Sequence, residues 1–143
     1  MPHSLQAPTS QSFSEIIDCV KEFHERFGIA NAPDLNGALP ADVVRLRHRL
    51  MAEETEEYLE AALNRDPVEI ADALGDQLYI LCGTILSHGM QHVIEDVFRE
   101  IQSSNMSKLG PDGKPIYRED GKVMKGPSYF RPNIAAVLES HAS

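Results

Sequence analysis

Two stretches, MAEETEEYLE (residues 51–60) and PVEIADALGDQ (residues 67–77), place acids at spacings that return to one side of a helix. In the first, Glu53 and Glu54 are followed by Glu57; in the second, Glu69, Asp72 and Asp76 succeed one another at three and four. Side chains three or four residues apart share a helix face, so each stretch can gather carboxylate oxygens in one place. Oxygen donors with no His or Cys among them suit a hard divalent cation, Mg²⁺ or Mn²⁺. The plainer alternative is a solvated acidic face neutralised by Arg45, Arg47, Arg49 and Arg65. Which holds depends on whether the acids fall on the apolar side of their helices.

The elements that must carry these residues are helical. Phe13, Ile16, Ile17, Val20, Phe23 and Phe27 recur at three and four after a capping-box pattern at Ser12 and Glu15, and Gly28 ends the first helix. A loop of Pro, Asn and Gly follows from Ile29 to Leu39. Pro40 begins a second helix that runs to about Asn64, Pro67 opens a third that ends near Gly89, and a fourth covers Gln91 to about Ser104. Val93, Ile94, Val97, Phe98 and Ile101 form its inward face. From Gly110 to Pro132 the chain is rich in Gly, Pro and Lys, with either a small hairpin about Asp120-Gly121 or an ordered loop, and a short helix from Asn133 to Ser140 closes it. The fold class is therefore all-α: a bundle of about four main helices with a short irregular or hairpin tail and a C-terminal helix. One domain over residues 11–141 is expected, preceded by a flexible segment, 1–10.

On a helical wheel, Val43, Leu46, Leu50, Tyr58 and Ala61 define the apolar stripe of the second helix. Glu54 and Glu57 fall inside it, Glu53 lies at its edge, and Glu56 and Glu60 point away. In the third helix Leu74, Leu78, Leu81 and Ile85 make one apolar side, while Glu69, Asp72 and Asp76 align opposite with Ala73, Ile80 and Gly83. Leu78 to Leu86 is apolar all round, so burial on both faces is expected. Carboxylates aimed into an interior are costly unless their charge is matched, and a divalent cation is the simplest match.

The order of these motifs resembles the all-alpha nucleoside triphosphate pyrophosphohydrolase superfamily of MazG-like proteins, dimeric dUTPases and phosphoribosyl-ATP pyrophosphohydrolases, whose pattern is EExxE followed by ExxD. Glu53-Glu54-x-x-Glu57 matches the first part and the helix ending in GDQLY, with Asp76, the second. FHERFG (residues 23–28), SNMSK (104–108) and GKVMKG (121–126) are similar to the phosphoribosyl-ATP pyrophosphohydrolase-like branch of small MazG-type proteins, and the resemblance spans residues 13 to 134. One position departs: with Asp76 as the last residue of ExxD, Ala73 stands where a glutamate belongs, and either Asp72 or Glu69 must supply the missing oxygen.

The resemblance implies hydrolysis of a nucleoside triphosphate between the α and β phosphates, yielding the monophosphate and pyrophosphate. It implies Glu53, Glu54, Glu57 and Asp76 as ligands of Mg²⁺, or Mn²⁺, joined by Asp72, with Glu53 or Glu54 accepting the proton of the attacking water. Lys108, Lys122 and Lys125 are the expected phosphate donors, with Asn105 a neutral one and Arg131 a weaker candidate. His24 and Phe23 are candidates for a base or sugar pocket. A homodimer is expected from the family, with a tetramer as the alternative.

Composition is compatible with this and narrows the rest. The 143 residues carry a formal charge of −9, which argues against nucleic acid or an anionic membrane as partner, since both need a basic footprint. No apolar run is long enough to span a bilayer and Met1 to Ser10 lacks a signal-peptide pattern, so a cytoplasmic setting is expected. Cys19 and Cys82 lie far apart inside apolar segments and read as buried reduced thiols. Two rival classes use similar material: a non-catalytic acidic helical interaction module, and a di-iron carboxylate protein, which would pair its glutamates with Glu-x-x-His, a motif this chain lacks.

Overall fold

The structure, a computed structural model, describes residues 12–141; the segment 1–10 lies outside them. The elements are α1 (Phe13–Arg26), α2 (Ala41–Leu63), α3 (Pro67–Ser87), α4 (Ile94–Met106), β1 (Ile116–Tyr117), β2 (Val123–Met124) and α5 (Ile134–His141). The fold is all-α, with a two-stranded hairpin in the tail. The chain divides into two compact units, one up to Gln91 and one from His92 onward. Among the described residues no helix is long and apolar enough to cross a membrane.

In the first unit α3 packs against both α1 and α2. Arg47 reaches Ile80 and Thr84, Thr55 meets Gln77, and Ala61 shares a cleft with Ala73, so α2 and α3 run antiparallel. Their reversal needs only Asn64, Arg65 and Asp66. Arg65 adopts the left-handed conformation at φ 55°, the Asp66 amide donates back to the Ala61 carbonyl at 3.2 Å, and the Asp66 carboxylate caps α3 by accepting from Val68 and Glu69. Pro67, with no N–H to satisfy, is the first helical residue. Gly28 and Gly89, at φ 71° and 64°, close α1 and α3 in the same way, through Ile29 to His24 and Met90 to Ile85. The loop after α1 is stapled to the end of α3 by Ala32 to Leu86 and Asn36 to His88 bonds; the His88 amide caps the helix by donating to Thr84 O and Leu86 O, and its Nδ1 meets the Asn36 carbonyl.

Several expected faces are rotated. The buried residues of α1 are Ile17, Val20 and His24, whereas Phe27 is 69% exposed, and Cys19, 100° off that stripe, is exposed rather than buried. In α2 the deeply buried residues are Arg47 and Ala61; Leu46 and Tyr58 stay exposed. Leu74, Leu78 and Leu81 of α3 are also exposed, while Ala73, Cys82, Ile85 and Leu86 form the core. A polar cluster occupies the centre. The Arg47 guanidinium donates to Ile80 O at 2.9 Å and to Thr84 Oγ1 at 3.1 Å, and His24 Nδ1 bonds Asn31 Oδ1 at 2.7 Å. Both side chains lie against Gly83: a Cβ there would stand 2.4 Å from Arg47 Nη2 and 2.9 Å from His24 Nε2. Gly83 makes room for these two side chains.

In the second unit α4 begins three residues later than expected, after a turn, and its Phe98 and Ile101 are exposed instead of inward. The tail forms the hairpin alternative. Ile116 pairs with Met124 and Tyr117 with Val123, and the Gly121 amide closes the turn onto Arg118 with Gly121 at φ 86°. Asn133 caps α5 by accepting from Ala136. At the chain's other end Ser12 forms no side-chain cap; its hydroxyl is taken by Ser14 at 2.7 Å.

Candidate metal centre

The antiparallel pairing of α2 and α3 brings Glu54, Glu57 and Asp76 together: one carboxylate oxygen from each lies within 4.8 Å of the other two. Glu54 and Glu57 are one turn apart on α2, and Asp76 faces them from α3. Glu54 is half-buried, and its Oε2 is shut off from water without a hydrogen-bond partner. Desolvation comes first among the causes that push its carboxyl up to about 7; a hydrogen bond that its protonated form donates to Glu57 and the charges of Glu57, Asp76 and Asp72 add to it. This carboxyl holds a proton near neutrality unless another cation replaces it.

The arginine alternative does not hold within this unit. Among the described residues no Lys or Arg forms an ion pair with Glu53, Glu54, Glu57, Glu69, Asp72 or Asp76; the pairs present involve Glu22, Glu25, Glu95, Asp96 and Asp120. Arg47 is spent on the core. An orphaned buried oxygen, three converging carboxylates and an all-oxygen donor set fit a hard divalent ion.

The other expected ligands stand differently. Glu53 is exposed and outside the three-residue cluster. Asp72 is also outside it, yet close enough for its charge to act on Glu54. A cleft of about 380 Å³ between α2 and α3 continues from Glu57 and is lined by Glu60, Asn64, Glu69, Asp72 and Ala73. Glu69 and Asp72 thus open on the same cleft, and Ala73 stands in its wall where the glutamate of ExxD is missing. Asn105, Lys108, Lys122 and Lys125 all belong to the second unit, around the end of α4 and the hairpin. His24, a candidate for a base pocket, is 2% exposed in the polar cluster beside Gly83, where burial lowers its pKa, the Asn31 bond opposes this and the Arg47 charge adds to the lowering. The His24–Arg47–Thr84 cluster escaped the sequence; its one visible sign was a glycine in mid-helix at position 83.

A sequence profile of the phosphoribosyl-ATP pyrophosphohydrolase family matches residues 20–105. The chain belongs to this family. Through it the chain is one of the MazG-like, all-alpha NTP pyrophosphohydrolases, hydrolases that act on nucleotides. Among solved structures it is similar to a protein of Exiguobacterium sp. 255-15 provisionally described as an NTP pyrophosphohydrolase, with 31% identity over 92% of this chain and 94% of that one and a TM-score of 0.45. A comparison with curated proteins gives no match.

Proposed function

We propose that this member of the pyrophosphohydrolase family cleaves a nucleoside triphosphate between its α and β phosphates, using a divalent cation held by Glu54, Glu57 and Asp76 with Asp72 joining them. Family membership supports the reaction class. The observation that carries the metal reading is the partnerless Oε2 of Glu54 amid acids that form no ion pair with Lys or Arg among the described residues. Mg²⁺ or Mn²⁺, when bound, neutralises polyphosphate charge and acidifies an attacking water. The protein's own part is to hold carboxylate oxygens ready and to take a proton, through Glu53 or Glu54. Glu53, outside the cluster and exposed, is free to meet a water; the Glu54 carboxyl is pushed up to about 7 by burial and its acidic neighbours. Asn105, Lys108, Lys122 and Lys125 supply donors to the polyphosphate.

A homodimer belongs to this proposal. Leu46, Tyr58, Leu74, Leu78 and Leu81 are each 39% or more exposed on α2 and α3 of the single chain, an apolar surface that a second copy would cover. Nucleotide pools make the cytoplasm the natural setting. The test is pyrophosphate release from a panel of canonical and modified nucleotides, with Mg²⁺, Mn²⁺ or chelator. Release that depends on the added ion is expected. No release from any nucleotide, or release undiminished in chelator, removes the proposal.

A further inference from the structure

We infer that Ser104, Ser107 and Gly126 are positioning residues for Lys108 and Lys125, closing the base of a loop that presents these two lysines together to a polyphosphate; this rests on the function proposed above. The loop runs from the end of α4 through the hairpin and back. Its base is closed twice. Ser104, 3% exposed, donates from Oγ to the Phe130 carbonyl at 2.8 Å, and Ser107 Oγ accepts from the Phe130 amide at 3.2 Å while donating to the Ser104 carbonyl. One step further in, the Gly126 amide donates to the Lys108 carbonyl at 2.8 Å. Gly126 is buried, and a Cβ there would stand 2.4 Å from Leu109 O and 2.8 Å from Lys108 O, so a side chain would force the two passes of chain apart.

Lys108 therefore accepts, and Lys125 adjoins the donor of, one backbone hydrogen bond. Neither ion-pairs with a carboxylate among the described residues, whereas Arg118, at the tip of the hairpin, is already paired with Asp120. The Lys125 ammonium rests 4.8 Å from the centre of the Tyr129 ring, which holds it near the base by a cation–π contact. Two ammonium groups on adjoining backbone, neither ion-paired among the described residues, suit an anion with several charges. A loop of this length fixed at its base loses less freedom on binding than a free one. The serines of SNMSK thus act through the lysines and touch no substrate themselves.

The test measures KM and kcat for pyrophosphate release, together with the Kd of inorganic pyrophosphate in Mg²⁺, for the full chain and its variants. Because displacement by about 1 Å can cost about 100-fold, Ser104→Ala is expected to raise KM and Kd by about tenfold with kcat within about twofold. Ser104→Thr, which keeps the hydroxyl, should restore them. In a Lys108→Ala/Lys125→Ala background, Ser104→Ala should add less than about twofold, since a residue acting through the lysines has nothing left to position. Ser107→Ala is the second variant should Ser104→Ala not fold. If the lysine pair matters but Ser104→Ala and Ser107→Ala bind and turn over like wild type, the positioning role is overturned and the proposed function stands. If wild type binds no pyrophosphate, or binds it equally without both lysines, the inference fails. If wild type hydrolyses no nucleotide yet binds pyrophosphate in a Ser104-dependent way, the proposed function falls and this inference survives.

Discussion

Glu54 is where cost and chemistry coincide. Its folded pKa, about 7 against 4.5 for an unperturbed glutamate, means that the folded protein binds this proton more tightly than the unfolded chain does. In chelator, that contribution to stability is fully present below about pH 4.5 and is lost as pH rises through about 7. Thermal melting of the metal-free protein should record this slope, and Glu54→Gln should flatten it. The same variant should lower turnover by about 100-fold or more and raise the metal-free melting temperature by about 2–4 °C; a lower melting temperature would make Glu54 a structural residue. His24 works in the opposite sense: its folded pKa is lowered, so its contribution is present above its ordinary value of 6.5 and is lost as pH falls. Glu54→Gln leaves this trend exposed in the acid limb of the melting curve. Glu54, Glu57 and Asp76 were legible as a group because three- and four-residue spacing gathers the acids of each helix on one face, although Glu57 and Asp76 are exposed rather than interior. Arg47 was not, because a hydropathy pattern counts every arginine as surface, and nothing local announces that Ile80 and Thr84 will satisfy it.

At the scale of elements, the turns were more legible than the faces. Pro67 after Asp66, Gly28 and Gly89 mark ends that backbone geometry enforces, so the first three helices end close to where the sequence puts them. Faces depend on neighbours, and the buried guanidinium of Arg47 beside Gly83 is a neighbour that hydropathy does not announce. Arg65 is a non-glycine residue in the left-handed region, a conformation that costs about 1–2 kcal/mol. Arg65→Gly should therefore stabilise the α2–α3 reversal by about 0.5–1 kcal/mol in denaturant titration, without changing metal affinity. Gly83→Ala should do the reverse: its methyl meets Arg47 and His24, and overpacking of this kind costs about 1–3 kcal/mol. An alanine at 83 that melts like wild type would show that the Arg47 side chain can leave the core at little cost.

For the whole molecule, charge and apolar surface pull in different directions. The exposed leucines of α2 and α3 favour a second copy, and sedimentation should find a dimer whose formation Leu78→Glu or Leu81→Glu weakens; a wild-type monomer at micromolar concentration would refute it. The net charge of −9 and the acids of α2 and α3, which form no ion pair among the described residues, oppose any compaction that lacks counter-ions. Like charges in one cluster repel over a few ångströms, while mobile ions screen over about 8 Å at physiological ionic strength. The metal-free protein should thus behave as mildly salt-loving, melting higher as NaCl is added, and the dependence should shrink once Mg²⁺ saturates the cluster. With no Lys or Arg paired to Glu54, Glu57 or Asp76 among the described residues, the surrounding electrolyte acts as their provisional counter-charge, so the apparent affinity of a divalent ion added to the protein should fall as background salt rises.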